Sequence, residues 1–275
     1  MNHLESKFTG AGGLELFHQI WQADASPKAH IALVHGIGEH SGRYPNVAAH
    51  FPPRGYTVHG FDLRGHGRSP GRRGHINAWS EFREDVRAYI RMISAQAEGK
   101  PVFIYGHSLG GLIALEYVLH YPDLLQGVIA SAPAVGQSAI SPVLIFLSRV
   151  MSRVMPTFSL QTGLDATAVS RDPAVVNGYA DPLVHSFASA RFGTEAMAAQ
   201  AWTNAHAPDL KLPLLIVHGE ADRIMPPASS RAFIERVSSP DKTRLGYEGG
   251  YHEPHNDIQH AQVMQDIEAW LEKHL

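Results

Sequence analysis

The sequence contains no cysteine and has little net charge, and each of these absences narrows the range of functions. Without cysteine among its 275 residues, the chain can form no disulfide and can use no thiol in catalysis. Its formal net charge of −3 provides no strong positive field of the kind that attracts nucleic acid. We therefore expect no nucleic-acid partner.

Long apolar runs are also missing from the sequence. No run approaches the roughly 20 residues that are needed to span a bilayer. Residues 1–7, Met-Asn-His-Leu-Glu-Ser-Lys, lack the apolar centre of a secretory signal, so we expect a cytoplasmic location. With 44% hydrophobic residues, the chain is nevertheless long enough to build one sizeable core and to carry an insertion.

The most informative motif lies where a short apolar strand leads directly into a helical pattern. Residues 106–110 read Gly-His-Ser-Leu-Gly, which is typical of a nucleophile elbow. In that turn a strained serine stands clear of the backbone, and glycines on both sides relieve the crowding. The sequence therefore predicts that Ser108 is a nucleophile.

A second match to the same five-residue pattern, at residues 67–71, is rejected on chemical grounds. In an elbow, the residue after the serine donates its backbone N–H to the developing oxyanion. Pro70 follows Ser69 and has no N–H to donate, whereas Leu109 can do so. We interpret Ser69 as a loop residue.

A serine nucleophile needs a general base and an acid that orients this base. In α/β-hydrolases the acid and then the histidine follow the serine, each in a loop after a strand. Asp222 follows the predicted strand 212–218, and His252 follows the predicted strand 243–248 and two glycines. These two residues are predicted to complete a triad with Ser108. Alternatives to Asp222 are Glu220 and Asp181, and alternatives to His252 are His255 and His206.

An early His-Gly motif predicts the second donor to the oxyanion. Residues 35–38, His-Gly-Ile-Gly, directly follow an apolar strand, at the position from which α/β-hydrolases supply this N–H. The backbone N–H groups of Ile37 and Leu109 are therefore the candidate oxyanion hole. A glycine-rich phosphate loop fits less well, because the third glycine and a following Gly-Lys-Ser/Thr are missing.

The chain alternates between strand and helix patterns, as an α/β sheet requires. Strands are predicted at 14–22 (as part of a hairpin), 30–35, 57–62, 101–106, 126–132, 212–218 and 243–248, and helices at 45–54, 78–97, 109–120, 228–238 and 257–273. Residues 134–206 interrupt this alternation before the strand that carries Asp222. We predict an α/β-hydrolase fold with a mostly parallel central sheet, its core formed by 1–133 and 207–275 and a helical cap by 134–206.

The first predicted cap helix begins at Ser141-Pro142 and carries an apolar stripe. The stripe consists of Val143, Phe146, Leu147, Val150, Met151 and Val154. It is predicted to line an acyl-chain tunnel above Ser108, although it could instead pack on the core or contact a lipid surface. Because no excess of positive charge accompanies it, any contact with lipid is expected to be weak and peripheral.

Seven stretches of the sequence together resemble the monoacylglycerol lipase family of serine hydrolases. They are HGIGEHSGRY at 35–44, DLRGHGRS at 62–69, GHSLGG at 106–111, SRDP at 170–173, YADPL at 179–183, HGEADR at 218–223 and YEGGYHEPH at 247–255. The resemblance extends from about residue 8 to the end of the chain. It implies hydrolysis of a monoacylglycerol to glycerol and a fatty acid through an acyl-enzyme, without a cofactor or metal.

The resemblance also implies roles for individual residues. Ser108, Asp222 and His252 match the family's triad, and Ile37 and Leu109 match its oxyanion donors. The side chains that fall where the family surrounds the glycerol moiety are Glu39, Arg43, Tyr179 and His255. The alternative within enzymology is a broad carboxylesterase or a lysophospholipase with the same triad, and a remote alternative is a non-catalytic binding module.

Overall fold

An eight-stranded sheet forms the centre of the computed structural model, which describes residues 2–136 and 142–275, with side chains from 2–136 and 147–275. Its strands are β1 (Asn2–Thr9), β2 (Glu15–Gln22), β3 (Ala29–Val34), β4 (Tyr56–Phe61), β5 (Val102–His107), β6 (Gly127–Ser131), β9 (Leu214–Gly219) and β10 (Lys242–Tyr247). Their order across the sheet is β1-β2-β4-β3-β5-β6-β9-β10. Among these described strands, β2 pairs antiparallel with β1 and with β4, and the other neighbouring strands pair parallel. The predicted fold class is confirmed.

Helices cover both faces of this sheet. They are α1 (Pro45–His50), α2 (Ser80–Gln96), α3 (Leu109–His120), α7 (Pro227–Arg236) and α8 (His260–Glu272). Short 3₁₀ turns lie at Ala11–Gly13, Ser41–Arg43, Pro52–Arg54, Ala166–Ala168, Gly178–Ala180 and Ala207–Asp209. The helix predicted at 45–54 ends at His50, and Pro52 and Pro53 follow in a separate turn, because proline removes the N–H that an α-helix needs.

Two apolar cores lie on opposite faces of the sheet. Along β9, Leu214 and Ile216 belong to one core, while Leu215 and Val217 belong to the other, since successive side chains of a strand point to opposite faces. Every residue of β9 is buried, which explains why the strand reads as one continuous apolar run. The first core also takes side chains from α2, α3 and α7, and the second takes them from α1 and α8.

The segment between β6 and β9 adds no strand to the main sheet in the part of it that the structure describes. It contains α4 (Pro142–Val154), β7 (Ser159–Gln161), α5 (Pro173–Asn177), β8 (Phe187–Ser189) and α6 (Ala190–Ala205). The two short strands pair antiparallel with each other, which the prediction of a purely helical insertion did not anticipate. Throughout the described residues, the helices are too short or too polar to cross a membrane.

Candidate active site

Ser108 occupies the sharp turn between β5 and α3. Its backbone has φ 52° and ψ −113°, a conformation that is strained for a residue with a side chain. Glycine is required on both sides by close packing: a Cβ on Gly106 would lie 2.3 Å from the carbonyl oxygen of Gly110, and one on Gly110 would lie 2.1 Å from that of Val34. The strand-to-helix turn predicted from the sequence is therefore present.

The structure brings Ser108, His252 and Asp222 into one chain of hydrogen bonds. His252 Nδ1 lies 2.7 Å from Asp222 Oδ2, and His252 Nε2 lies 2.9 Å from Ser108 Oγ. Because the carboxylate can only accept, Nδ1 carries the proton and Nε2 accepts from the serine hydroxyl. All three side chains are buried. This arrangement can remove the hydroxyl proton during nucleophilic attack.

The Asp222 carboxylate is held in its ionised form by several donors. Its Oδ1 accepts from the backbone N–H groups of Ile224 at 2.7 Å and Met225 at 2.9 Å. Burial alone would raise the pKa of Asp222, but hydrogen bonds from His218 and His252 outweigh it and hold the pKa well below its usual value. The group therefore remains able to orient and stabilise a charged imidazole.

His218 is a supporting residue to which the sequence reasoning gave no role. Its Nε2 lies 3.1 Å from Asp222 Oδ2 and 2.9 Å from the carbonyl oxygen of Met225. Since both partners can only accept, Nε2 carries the proton, and Nδ1 accepts from the hydroxyl of Ser230 at 2.8 Å. Its position as a polar residue near the end of apolar strand β9 was the available signal.

The alternative acids have other partners. Glu220 pairs with Arg231 and lies 2.8 Å from Arg244. Asp181 lies 3.2 Å from His40. No hydrogen bond joins either carboxylate to His252 among the described contacts.

The alternative histidines also lie away from the nucleophile's hydroxyl. His206 Nδ1 is 2.9 Å from the carbonyl oxygen of Trp202, at the end of α6. His255 stacks on the Tyr44 ring, with centroids 4.5 Å apart. The structure therefore joins only His252, of the histidines considered, to Ser108 by a described hydrogen bond.

The loop that carries Ile37 is fixed next to Ser108. Glu39 Oε1 accepts from the backbone N–H of Gly36 at 2.5 Å, and the carbonyl oxygen of Gly38 accepts from the N–H of His185 at 2.8 Å. Gly38 has φ +73°, and a Cβ there would lie 2.1 Å from the His185 carbonyl oxygen. These contacts hold the loop before substrate arrives, as an oxyanion donor requires.

A polar cleft borders Ser108 on one side. It has a volume of about 20 Å³. Its polar lining consists of Glu39, His107, Ser108, Tyr179 and His252, and its remaining lining consists of Gly36, Ile37, Leu164, Val169 and Ile224. Burial, with Glu253 adding to it and Arg43 opposing it, raises the pKa of Glu39 to about 7. Glu39 can therefore gain or lose a proton near neutral pH.

The other two residues predicted to contact glycerol lie behind this lining. The Arg43 guanidinium rests 4.0 Å from the centre of the Tyr179 ring, and His255 packs edge-on against His107 at 4.7 Å. Burial lowers the pKa of His255 to about 4, so this imidazole is neutral at physiological pH. From these positions, Arg43 and His255 can support the side chains that line the cleft.

Glu253 joins these groups and was missed in the sequence reasoning. It is fully buried and accepts from Tyr179 Oη at 2.5 Å, Asn256 Nδ2 at 2.9 Å and Arg43 Nη2 at 3.3 Å. Burial would raise its pKa, but the Arg43 guanidinium and the hydrogen bonds from Tyr179 and Asn256 together hold the pKa of Glu253 below its usual value. A carboxylate directly after His252 was the available signal.

An apolar cavity of about 190 Å³ borders Ser108 on another side. Its lining comes mainly from α3, α6 and nearby loops and consists of Ile37, Ser108, Leu109, Leu112, Ala134, Leu164, Phe192, Ala196, Met197, Gln200, Ile224 and Met225. Ile37 and Leu109, whose backbone N–H groups are the candidate oxyanion donors, thus line this cavity together with Ser108. Met and Phe suit a wall that accepts flexible chains.

The apolar stripe of α4 does not contribute to this lining in the described residues. Leu147, Val150 and Val154 are 50%, 40% and 72% exposed, and Met151 is half-buried. The side chains of Val143 and Phe146 lie outside the described part. The prediction that the stripe lines an acyl tunnel therefore gains no support from the four stripe side chains that are described.

The orientation of α4 has a physical reason. Its small polar face packs on α6: Ser152 is buried, its carbonyl oxygen accepts from Arg191 Nη2 at 2.9 Å, and that of Ser148 accepts from Thr194 Oγ1 at 3.4 Å. Small side chains allow this close helix contact, and the apolar stripe is then turned outward.

The sheet, its crossover helices and the serine elbow define an α/β-hydrolase. Residues 25–259 match the model of a family described as "Serine aminopeptidase, S33". The chain is 38% identical to a monoacylglycerol lipase of Mycolicibacterium smegmatis, over 98% of both chains. It also resembles the crystal structure of a monoacylglycerol lipase from Paleococcus ferrophilus, with 35% identity, a TM-score of 0.86 and coverage of 95% and 100% of the two chains.

A monoglyceride lipase structure from Saccharomyces cerevisiae, in complex with a substrate analog, is 25% identical with a TM-score of 0.88, over 98% of this chain and 94% of that one. The chain belongs to the serine aminopeptidase, S33 family and, within it, to the monoacylglycerol lipase family. The resemblance identified in the sequence is confirmed.

Proposed function

We propose that this chain is a carboxylic ester hydrolase that cleaves monoacylglycerol to glycerol and a free fatty acid. The observation that carries the proposal is the Ser108–His252–Asp222 hydrogen-bond chain, with distances of 2.9 and 2.7 Å, between a polar cleft and an apolar cavity. Relatives and solved structures named monoacylglycerol lipase or monoglyceride lipase support it.

In the first half of the reaction, His252 Nε2 takes the hydroxyl proton as Ser108 Oγ attacks the ester carbonyl carbon. The carbonyl oxygen becomes an oxyanion, which the backbone N–H groups of Ile37 and Leu109 stabilise. His252 then gives the proton to the departing glycerol oxygen, and the acyl group remains on Ser108.

In the second half, His252 takes a proton from water as the water oxygen attacks the acyl-enzyme carbon. A second oxyanion forms in the same place. When it collapses, the bond to Ser108 Oγ breaks, the imidazolium returns its proton to Oγ, and the fatty acid leaves. Throughout, Asp222 keeps His252 in one tautomer and stabilises its charged form.

The two sides of Ser108 suit the two ends of a monoacylglycerol. The apolar cavity between α3 and α6 would hold the acyl chain, and the cleft with Glu39 and Tyr179 would hold the two free hydroxyls. Arg43 and His255 act from behind this cleft. The described parts of residues 134–206 would form a cap over both spaces.

The exposed face of the cap supports a weak, peripheral contact with a lipid surface. Six large apolar side chains within residues 147–160 are exposed: Leu147, Val150, Val154, Met155, Phe158 and Leu160. So many in one short segment are unusual on a surface that faces only water. Contact with lipid would bring the enzyme close to its insoluble substrate.

The proposal is tested by comparing kcat/KM on a monoacylglycerol, the matching diacylglycerol and triacylglycerol, and the methyl ester of the same fatty acid. We expect a clear preference for the monoacylglycerol. Equal or faster cleavage of the methyl ester would contradict recognition of glycerol and leave a broad esterase with the same triad.

A further inference from the structure

Four side chains form a closed cluster behind the polar cleft. Glu253 accepts from Tyr179 Oη at 2.5 Å and from Arg43 Nη2 at 3.3 Å, and Arg43 Nε lies 3.3 Å from Glu39 Oε2. The Arg43 guanidinium also stacks on the Tyr179 ring at 4.0 Å. Glu39, Arg43 and Glu253 are 2%, 9% and 1% exposed, so bulk water screens their charges poorly.

The cluster contains more acidic groups than basic ones. One guanidinium faces two carboxylates, and the neighbouring imidazoles of His107 and His255 are neutral because burial lowers the pKa of each. In the described surroundings, therefore, Glu253 cancels the positive charge of Arg43, and Glu39 adds further negative character when it is ionised.

The hydrogen bonding of Tyr179 also disfavours a negatively charged group in the cleft. Its hydroxyl has one proton, and this proton goes to Glu253. Toward a substrate in the cleft, the Tyr179 oxygen can then only accept. A free hydroxyl can donate to it, whereas a phosphate group that has lost its protons cannot.

We propose that Glu253 is a specificity-determining residue, which makes the cleft favour an uncharged polyol and reject an alcohol that carries a phosphate. It does so by neutralising Arg43 and by taking the Tyr179 proton. The inference rests on the proposed function, because it concerns the alcohol that leaves during ester cleavage. Rejection through an unmatched charge is a common means of discrimination.

Without the Glu253 charge, the Arg43 guanidinium behind the cleft would be balanced only by Glu39 and, at longer range, by Asp181, which pairs with His40. A phosphate would then gain attraction, and a glycerol would gain none. Glutamine at this position retains the size of the side chain and an oxygen that can accept from Tyr179. The variant E253Q therefore removes the charge with little change of shape.

The experiment measures kcat and KM of the parent and of E253Q on a monoacylglycerol, on the 3-phosphate of the same monoacylglycerol, and on the methyl ester. The kcat/KM on each of the other two substrates is divided by the kcat/KM on the methyl ester, so a general loss of activity cancels in the ratio. We expect the preference for the uncharged substrate to fall by about tenfold in E253Q, mainly through a lower KM for the phosphate ester.

Glu220→Gln is the matched control, because Glu220 is also paired with arginines but lies outside the cleft. It should leave the ratio unchanged. If E253Q fails to fold, Arg43→Met tests the same inference with the opposite sign, and the preference for the uncharged substrate should rise.

An equal effect of E253Q on all three substrates would overturn the inference and leave Glu253 with a structural role. Failure of the proposed function is a separate result. If the parent cleaves the methyl ester as fast as the monoacylglycerol, glycerol recognition fails, while the ratio of phosphate ester to methyl ester in E253Q still decides the role of Glu253.

Discussion

The two halves of the inserted segment contact the rest of the molecule very differently. Residues 165–189 are tied to the loops that carry the site: Val169 O accepts from the Glu253 N–H at 2.8 Å, and His185 N–H donates to Gly38 O at 2.8 Å. Residues 147–155 pack on α6 and present apolar side chains outward. The anchored half belongs to the site's architecture, whereas the outward half is available for a lipid surface.

The anchored half is built around short-range polar contacts. Arg171 Nε lies 3.0 Å from Asp257 Oδ2, and the same carboxylate accepts from the Tyr251 N–H at 2.8 Å, next to His252. A change in this half should therefore reach the triad, and a change in the outward half should not. Of four predictions, the last two test this difference directly.

The largest effect is expected from a change in the triad itself. In Asp222→Asn, an amide replaces the acceptor of the His252 proton, so the imidazole is stabilised in the wrong tautomer. We expect kcat to fall by about 10⁴-fold, measured on a soluble ester. Glu220→Asn is the control and should retain activity. A near-normal rate for Asp222→Asn would contradict its role.

The second prediction concerns the pH dependence of stability and Glu39. Its pKa is raised by burial to about 7 in the folded protein, above its value of about 4.3 in an unfolded chain. The contribution to stability is therefore fully present below about pH 4 and is lost as pH rises to about 7.

Chemical denaturation of the parent and of Glu39→Gln at pH 5 and pH 8 measures this contribution. Relative to the parent, the variant should gain about 2 kcal/mol in free energy of unfolding between the two pH values. Gln preserves an oxygen for the Gly36 N–H. A difference that does not change with pH would contradict the raised pKa.

The third prediction weakens the anchored half directly. Arg171→Met removes the ion pair with Asp257 but retains an unbranched side chain, and Asp257 still accepts from backbone N–H groups. We expect kcat/KM to fall by about tenfold, because small displacements of catalytic groups are costly, while the protein stays folded. The control is Arg153→Met, at an exposed arginine of the outward half. Equal activities of the two variants would remove the distinction between the halves.

The smallest effect is expected in the outward half. Leu147→Ser combined with Val154→Ser should change the free energy of unfolding by less than about 0.5 kcal/mol, since both side chains are exposed. Activity on a soluble ester should be unchanged, while activity on monoacylglycerol in vesicles should fall by about threefold. Leu124→Ser, at an exposed leucine elsewhere, is the control. Unchanged vesicle activity would argue against a lipid-facing role.

The features that sequence predicted well are those with a local cause. The elbow needs a strand, a serine and two glycines within a few residues, and burial of β9 produces an apolar run that can be read directly. The order of Ser108, Asp222 and His252 follows from chain topology. A hydrophobic pattern therefore located both the sheet and the loops at its carboxyl edge.

The features that sequence did not predict depend on distant partners. Glu253 acquires its role from Arg43, 210 residues earlier, and no local pattern records that pairing. The stripe of α4 shows that the helix has two faces, but not which face α6 covers. Here the small side chain of Ser152 favoured close packing, and the apolar face was left outside.

The bond between Gly38 O and His185 N has a consequence for how substrate reaches the site and product leaves it. Because Gly38 adjoins Ile37, lifting residues 185–189 away from the core would pull the oxyanion loop out of place. Opening by that route therefore cannot coincide with either chemical step, because each step needs the oxyanion loop in place. Fatty acid that leaves by this route has to wait until deacylation is complete.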